Sequence, residues 1–84
     1  MSELETLDAR RLLCPLPVIR TQDRIRDLAP GSVLEVTATD PGTMHDIPAW
    51  CRVHGHEMLD AQAFEGAAGE ESGYIFRIRV AEQS

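Results

Sequence analysis

Cys14 is followed by Pro15 and Pro17 in the stretch LCPLPV (13–18), and arginines lie on both sides of it at positions 10, 11, 20, 24 and 26. A thiol acts as a nucleophile through its thiolate. Its ordinary pKa near ~8.5 falls by roughly one to several units at a helix N-terminus or beside an arginine. The residues after the prolines have helical character. With Cys14 as the N-cap, Pro15 takes the first helical position and Pro17 falls within the first turn. Those positions have no intrahelical acceptor for their N–H, so the missing donors are harmless there. Proline also restricts the approach of the chain. The pattern predicts a rigid collar that presents a sulfur anion, thiolate or persulfide, at the positive end of a helix.

The competing account makes Cys14 a small buried hydrophobe among Leu12, Leu13 and Leu16, because free cysteine is among the most buried residue types. A structural cysteine has no need of a proline-stiffened cap beside a basic cluster, which favours the reactive reading. The charge distribution points the same way. Five arginines against Asp23 give residues 10–26 a net +4, while the other three arginines and thirteen acids give the rest −10, for −6 overall. Arg20 and Arg24 are the candidates for steadying a sulfur anion. The plainer reading of such charges is the solvated face of a helix. A chain this acidic is not expected to bind nucleic acid through phosphate neutralisation.

Other chemistry-bearing residues have structural readings first. Cys51, at helical spacing from Ile47 and His54, reads as core packing before a second redox centre. A disulfide between Cys14 and Cys51 would need Cα atoms within about 7 Å. Cys51, His54 and His56 could be considered as metal ligands, but a fourth ligand is missing and Gly55 interrupts them, so no metal and no cofactor is expected. Asp40 and Asp46 read as turn and cap residues. Trp50 belongs to the core or to a partner surface.

The elements that must carry these residues follow from periodicity. ETLDA (5–9) alternates as a first strand. Val18, Ile19, Thr21, Gln22, Ile25, Leu28 and Ala29 share one side of a helix, opposite Arg20, Asp23, Arg24 and Asp27. APGS (29–32) ends it. In SVLEVTAT, Leu34, Val36 and Ala38 form a dry face against Glu35, Thr37 and Thr39. Asp40-Pro41-Gly42 is a turn. Thr43 or Asp46 can cap a second helix, and Pro48 favours Asp46, with the proline in its first turn and Gly55 as a left-handed stop. HEMLDAQAF and YIFRIRV are two more strands, joined by the polar, Gly-rich loop 65–73, which is expected to be mobile. The order βαβαββ predicts an α+β fold: a two-layer sandwich with a four-stranded mixed sheet and both helices on one face.

The bounds agree with this reading. Eighty-four residues suit a single domain, with 43% hydrophobic and 26% charged residues. The acidic beginning lacks a secretory signal, no stretch approaches the roughly 20 apolar residues of a membrane helix, and two cysteines do not make a disulfide framework. A cytoplasmic protein without a membrane partner, acting as a monomer, is expected.

The sequence resembles the TusA/SirA-type sulfur carriers, which hold sulfur as a persulfide and pass it on. The resemblance rests on Leu7 and Asp8, the CPxP motif in CPLP (14–17), APGSVLEV (29–36), TDPG (39–42), DIPAWC (46–51) and GHE (55–57). It implies the same βαβαββ sandwich. It also implies that Cys14 accepts sulfane sulfur from a cysteine desulfurase or a rhodanese-like donor. Acceptors in the family feed tRNA thiolation, molybdenum-cofactor and sulfur-oxidation systems. Such a protein transfers sulfur stoichiometrically rather than turning over a small substrate alone. A redox-sensing or regulatory interaction module is the alternative. Two positions depart from the family pattern. Arg11 stands where glycine is common, so the loop is expected to take a conformation that a side chain tolerates. Arg20 stands where lysine is usual.

Overall fold

The computed structural model describes residues 4–13, 15–67 and 71–82. Six elements follow one another as expected: β1 (Leu4–Ala9), α1 (Leu16–Arg26), β2 (Val33–Ala38), α2 (Thr43–His54), β3 (Glu57–Phe64) and β4 (Gly73–Arg79). The strands form one sheet in the order β1-β2-β4-β3. β1 and β2 are parallel, and β4 runs antiparallel to both β2 and β3. The parallel pair requires a crossover, which α1 supplies.

Strand alternation sorts the two faces of the sheet. Ala9, Leu34, Val36, Ala38, Phe76, Ile78 and Val80 are fully buried on the inner face. Both helices cover that face with side chains four residues apart: Pro17, Thr21 and Ile25 from α1, and Thr43, Ile47 and Cys51 from α2. Each fully buried aliphatic side chain of this kind stabilises the fold by about 1.5–3 kcal/mol. On the other face, Arg77 lies opposite both Glu35 and Asp60, at 2.9 and 3.3 Å, and Arg79 lies opposite Glu57 at 3.0 Å. These exposed cross-strand pairs contribute roughly 0.2–1 kcal/mol each, and they set register more than stability.

The structure departs from the sequence reading at the start of α2 and on the buried face of α1. Asp46 does not cap α2. The helix begins at Thr43, and Pro48 lies inside it. The DPG turn runs straight into the helix: Asp40 accepts the Gly42 N–H on Oδ1, and its carbonyl accepts both the N–H and the hydroxyl of Thr43 at 3.0 and 2.6 Å. Pro48 then removes a single ladder bond near the start, where the helix tolerates the loss. Asp46 instead places a negative charge in the first turn, where the macrodipole favours it. In α1, Ile19 is 44% exposed rather than inward. The buried stripe of α1 advances by four residues, and Ile19 falls outside it.

The expected stop at Gly55 is present, with φ 78° and two closing bonds, from Gly55 N–H to the Arg52 carbonyl and from His56 N–H to the Cys51 carbonyl. Gly73 opens β4 where the sequence reading had placed the end of a loop. A Cβ there would stand 2.5 Å from the Ala38 carbonyl oxygen, so only glycine fits. Part of the intervening loop, residues 68–70, and with it the expectation of mobility, lies outside the described residues.

His56, just past the end of α2, is buried, and its Nδ1 accepts the Ala81 N–H at 2.9 Å. It stacks on Trp50 at 5.2 Å between ring centres, while His54 lies 4.7 Å from the same indole. Burial, together with the charge of His54, lowers the pKa of His56 below the ordinary 6.5. In the folded state the imidazole therefore resists a proton that the unfolded chain accepts. Stability contributed by neutral His56 is complete above pH 6.5 and is lost as pH falls through that value toward the folded-state one. Urea midpoints measured from pH 7.5 to 5.5 should fall for the natural chain and fall less for His56→Asn, whose amide oxygen can replace the acceptor. Parallel slopes would show that another group titrates.

Candidate functional site

The parallel pairing of β1 and β2 sends both following loops to the same end of the sheet. The loop from β1 holds the arginines and the CPLP motif, and the loop from β2 holds Thr39 to Gly42. Register sets them side by side, since Ala9 lies opposite Ala38. Both helices begin at this end, so their positive ends face it together.

Cys14 itself lies outside the described residues, and the start of α1 is read from the residues on either side of it. Pro15 is the residue flanking α1, Leu16 is the first helical residue and Pro17 the second. The helix thus starts one residue later than the sequence suggests, and the cap position falls to Pro15 instead of Cys14. The reason is a turn closed by the Leu16 N–H on the Leu13 carbonyl at 2.8 Å. The Ile19 N–H then bonds the Pro15 carbonyl at 3.1 Å. Both prolines still occupy positions whose missing N–H has no partner to lose. Pro17 is buried, and its carbonyl accepts the hydroxyl of Thr21 at 2.8 Å, which pins the first turn to the core.

The three leucines around the motif do not form the buried setting of the competing account. Leu12 packs against the core, but Leu13 is 75% exposed and Leu16 43%. Leu13, Leu16 and Ile19 are thus exposed apolar side chains in and beside the motif. Arg20 is exposed as well, about 6 Å along the axis from Leu16 at the rise of an α-helix.

Most of the basic segment is engaged in ion pairs. Arg24 meets Glu5 at 3.1 Å and Arg26 meets Asp23 at 3.7 Å. Both also stand in the last turn of α1, where cations complement the dipole. Arg10 clamps Asp8 through its backbone N–H and two guanidinium nitrogens at 2.9–3.0 Å, which holds the Asp8 carboxyl down to about 2. Among the described residues, Arg20 is the arginine of α1 that makes no ion pair. The solvated-face reading therefore fits Arg24 and Arg26, whereas Arg20 is available to a visitor.

Arg11 shows where the chain departs from expectation. Its φ is 66°, in the left-handed region, so the loop has kept the backbone that glycine would take most easily. For a side chain this conformation costs about 1–2 kcal/mol, and it persists only where neighbours hold it. The Arg11 N–H donates to Thr39 Oγ1 at 2.8 Å, and its guanidinium meets Glu71 at 2.7 Å. Sequence reading had placed Thr39 only on the outer face of a strand and missed the Asp8 clamp. The left-handed position was signalled by the residue type common there in the resembled family.

Cys51 stands apart from this surface. It is a free thiol, 1% exposed within the core, and burial pushes its pKa up to about 11. It is therefore neutral and shielded, as a packing residue should be. Cys51, His54 and His56 do not converge on a point: among the described residues no group of three His, Cys, Asp or Glu is arranged to hold a metal ion. Asp40 and Asp46 belong to the turn and first turn of α2. An open depression of about 260 Å³ lies beside the clamp, lined by Thr6, Leu7, Asp8, Arg10, Thr37 and Phe64. It is smaller than the clefts of roughly 300–1,000 Å³ that enclose small ligands. No helix among the described residues is long and apolar enough to cross a membrane.

Comparison with known proteins matches this arrangement. The family model described as Sulfurtransferase TusA covers residues 5–80. The chain is 47% identical over 74 residues to the Sulfur carrier protein TusA of Pseudomonas aeruginosa, covering 87% of this chain and 85% of that protein. It is 48% identical over 75 residues to its namesake from Pseudomonas entomophila, covering 88% and 85%, and 45% identical over 73 residues to that of Pseudomonas syringae, covering 87% and 80%. With the CPLP motif at the head of α1, the sheet order and a match along nearly its whole length, the chain belongs to the TusA family.

Proposed function

We propose that this protein is a cytoplasmic sulfur carrier whose Cys14 takes up sulfane sulfur from a cysteine desulfurase or a rhodanese-like donor and delivers it to an acceptor protein. The Cys14 thiolate attacks the terminal sulfur of the donor's persulfide. A new S–S bond forms to Cys14, the donor's S–S bond breaks, and the donor cysteine leaves as a thiolate. Delivery repeats the exchange with the acceptor as nucleophile, so no external oxidant or reductant is consumed.

The observation that carries this reading is the CPLP motif within a chain nearly half identical to proteins named sulfur carriers. The surroundings support it. A carrier must offer its sulfur to two protein sites in turn, and exposed Leu13, Leu16 and Ile19 give those partners apolar surface to cover. Arg20, which makes no ion pair among the described residues, adds a positive charge that can steer an acidic partner and stabilise a sulfur anion. Cys14 and Arg20 are the principal residues in this reading, Pro15 and Pro17 stiffen the start of α1, and one domain operates as a monomer. The acceptor belongs to tRNA thiolation, molybdenum-cofactor or sulfur-oxidation chemistry.

Incubation with a cysteine desulfurase and cysteine should add the mass of one sulfur atom, removable by a reducing agent. Cys14→Ser should abolish the adduct. Cys51→Ser should keep it while destabilising the protein by about 1–3 kcal/mol, since a hydroxyl replaces a thiol within the core. Peptide mapping that found sulfur only on Cys51 would overturn the assignment, and sulfur on neither cysteine would favour a regulatory interaction module.

The charge argument is tested separately. Arg20→Glu should slow alkylation of Cys14 and its loading by the desulfurase severalfold at low salt, and the gap should narrow at high ionic strength, where exposed charges are screened within about 10 Å or less. Arg26→Glu, at an arginine already occupied by Asp23, should have the smaller effect. Equal rates for the natural protein and Arg20→Glu would leave the helix end as the activating element.

A further inference from the structure

We infer that Thr39 is a positioning residue for the Cys14 thiol: its hydroxyl holds Arg11 in the left-handed backbone that leads from β1 into the CPLP turn. The inference deepens the carrier reading, but its central test does not require sulfur transfer. A left-handed residue other than glycine reverts to a negative φ unless something holds it. For Arg11 the holding contact is the hydrogen bond from its N–H to Thr39 Oγ1, between residues 28 apart in the chain. The second tether, Arg11 to Glu71, joins side chains that are 82% and 49% exposed, where an ion pair constrains little.

Thr39 is well supported for this task. On one side it continues from β2, whose Ala38 is paired with Ala9 of β1. On the other it precedes Asp40, whose carbonyl is bound by the N–H and hydroxyl of Thr43 at the start of α2. Its hydroxyl is thus presented from a rigid frame, the arrangement by which supporting residues fix a reactive group. Beyond Arg11, the next fixed point is Leu13, whose carbonyl accepts the Leu16 N–H. Between these two anchors there is little chain to absorb a change at Arg11. A flip of its backbone therefore displaces the segment that bears the thiol.

The experiment measures iodoacetamide alkylation of Cys14 at neutral pH, followed by peptide mapping, in the full chain. Thr39→Val, which keeps the shape and removes the acceptor, should slow alkylation by about two- to tenfold, the range set by one hydrogen bond. Thr39→Ser should retain the natural rate. In the Arg11→Gly background the same Thr39→Val change should have little further effect, because glycine takes the left-handed backbone without help. Desulfurase loading should follow the same order. The inference is overturned if Thr39→Val alkylates at the natural rate, even with a lower Tm. It is also overturned if the change slows alkylation equally with and without Arg11→Gly. Failure of the natural protein to accept sulfur would instead count against the carrier reading and leave the alkylation comparison to decide the role of Thr39.

Discussion

The parallel pairing of β1 with β2 is the constraint on which the site depends. Parallel neighbours cannot be joined by a tight turn, so α1 must cross over the sheet between them. The same pairing delivers both strands to one end of the sheet, and both helices start there. The register that sets Ala9 opposite Ala38 then brings Arg11 within reach of Thr39. Two helix N-termini and two loops from distant parts of the chain thereby meet around the CPLP motif. In an antiparallel arrangement of these strands, Thr39 would lie at the opposite end from Arg11.

Packing fixes the rest of this frame. Each helix buries a stripe with a spacing of four residues, and each stripe includes a threonine near its helix start or middle, Thr43 or Thr21, whose hydroxyl finds a backbone carbonyl. Burying hydroxyls satisfied in this way avoids the penalty of an unpaired polar group. It also ties the proline-bearing first turn of α1 to the layer beneath. Pro17 contributes its ring to the core and its carbonyl to Thr21, while Leu13, Leu16 and Ile19 remain outside. The motif is thus anchored from below and apolar above.

Much of the fold could be read in the sequence because short-range periodicity is set by local geometry. Alternation at Leu34, Val36 and Ala38 gave the dry face of β2, and Gly55 gave the stop of α2, through a backbone that glycine adopts without strain. The misreadings have separate causes. Asp46 was read as a cap because Pro48 looked too deep for an earlier start, yet the Asp40 turn begins the helix before the proline is met. Ile19 was placed inward by a stripe drawn too wide: Pro17, Thr21 and Ile25 are buried and Val18 and Leu28 pack against the core, while Ile19 stays exposed.

By itself the sequence determined the element order, the inner faces of the central strands, the motif and its family resemblance, and the core character of Cys51. These depend on residue type and on spacing within a few positions. Only the tertiary structure decided that Arg11 and Arg24 are occupied, because Glu71 and Glu5 reach them through loop placement and strand order. It also decided that Arg11 keeps a glycine-like backbone. That outcome depends on a hydroxyl 28 residues away, and a contact between distant segments exists only once the sheet has set their register.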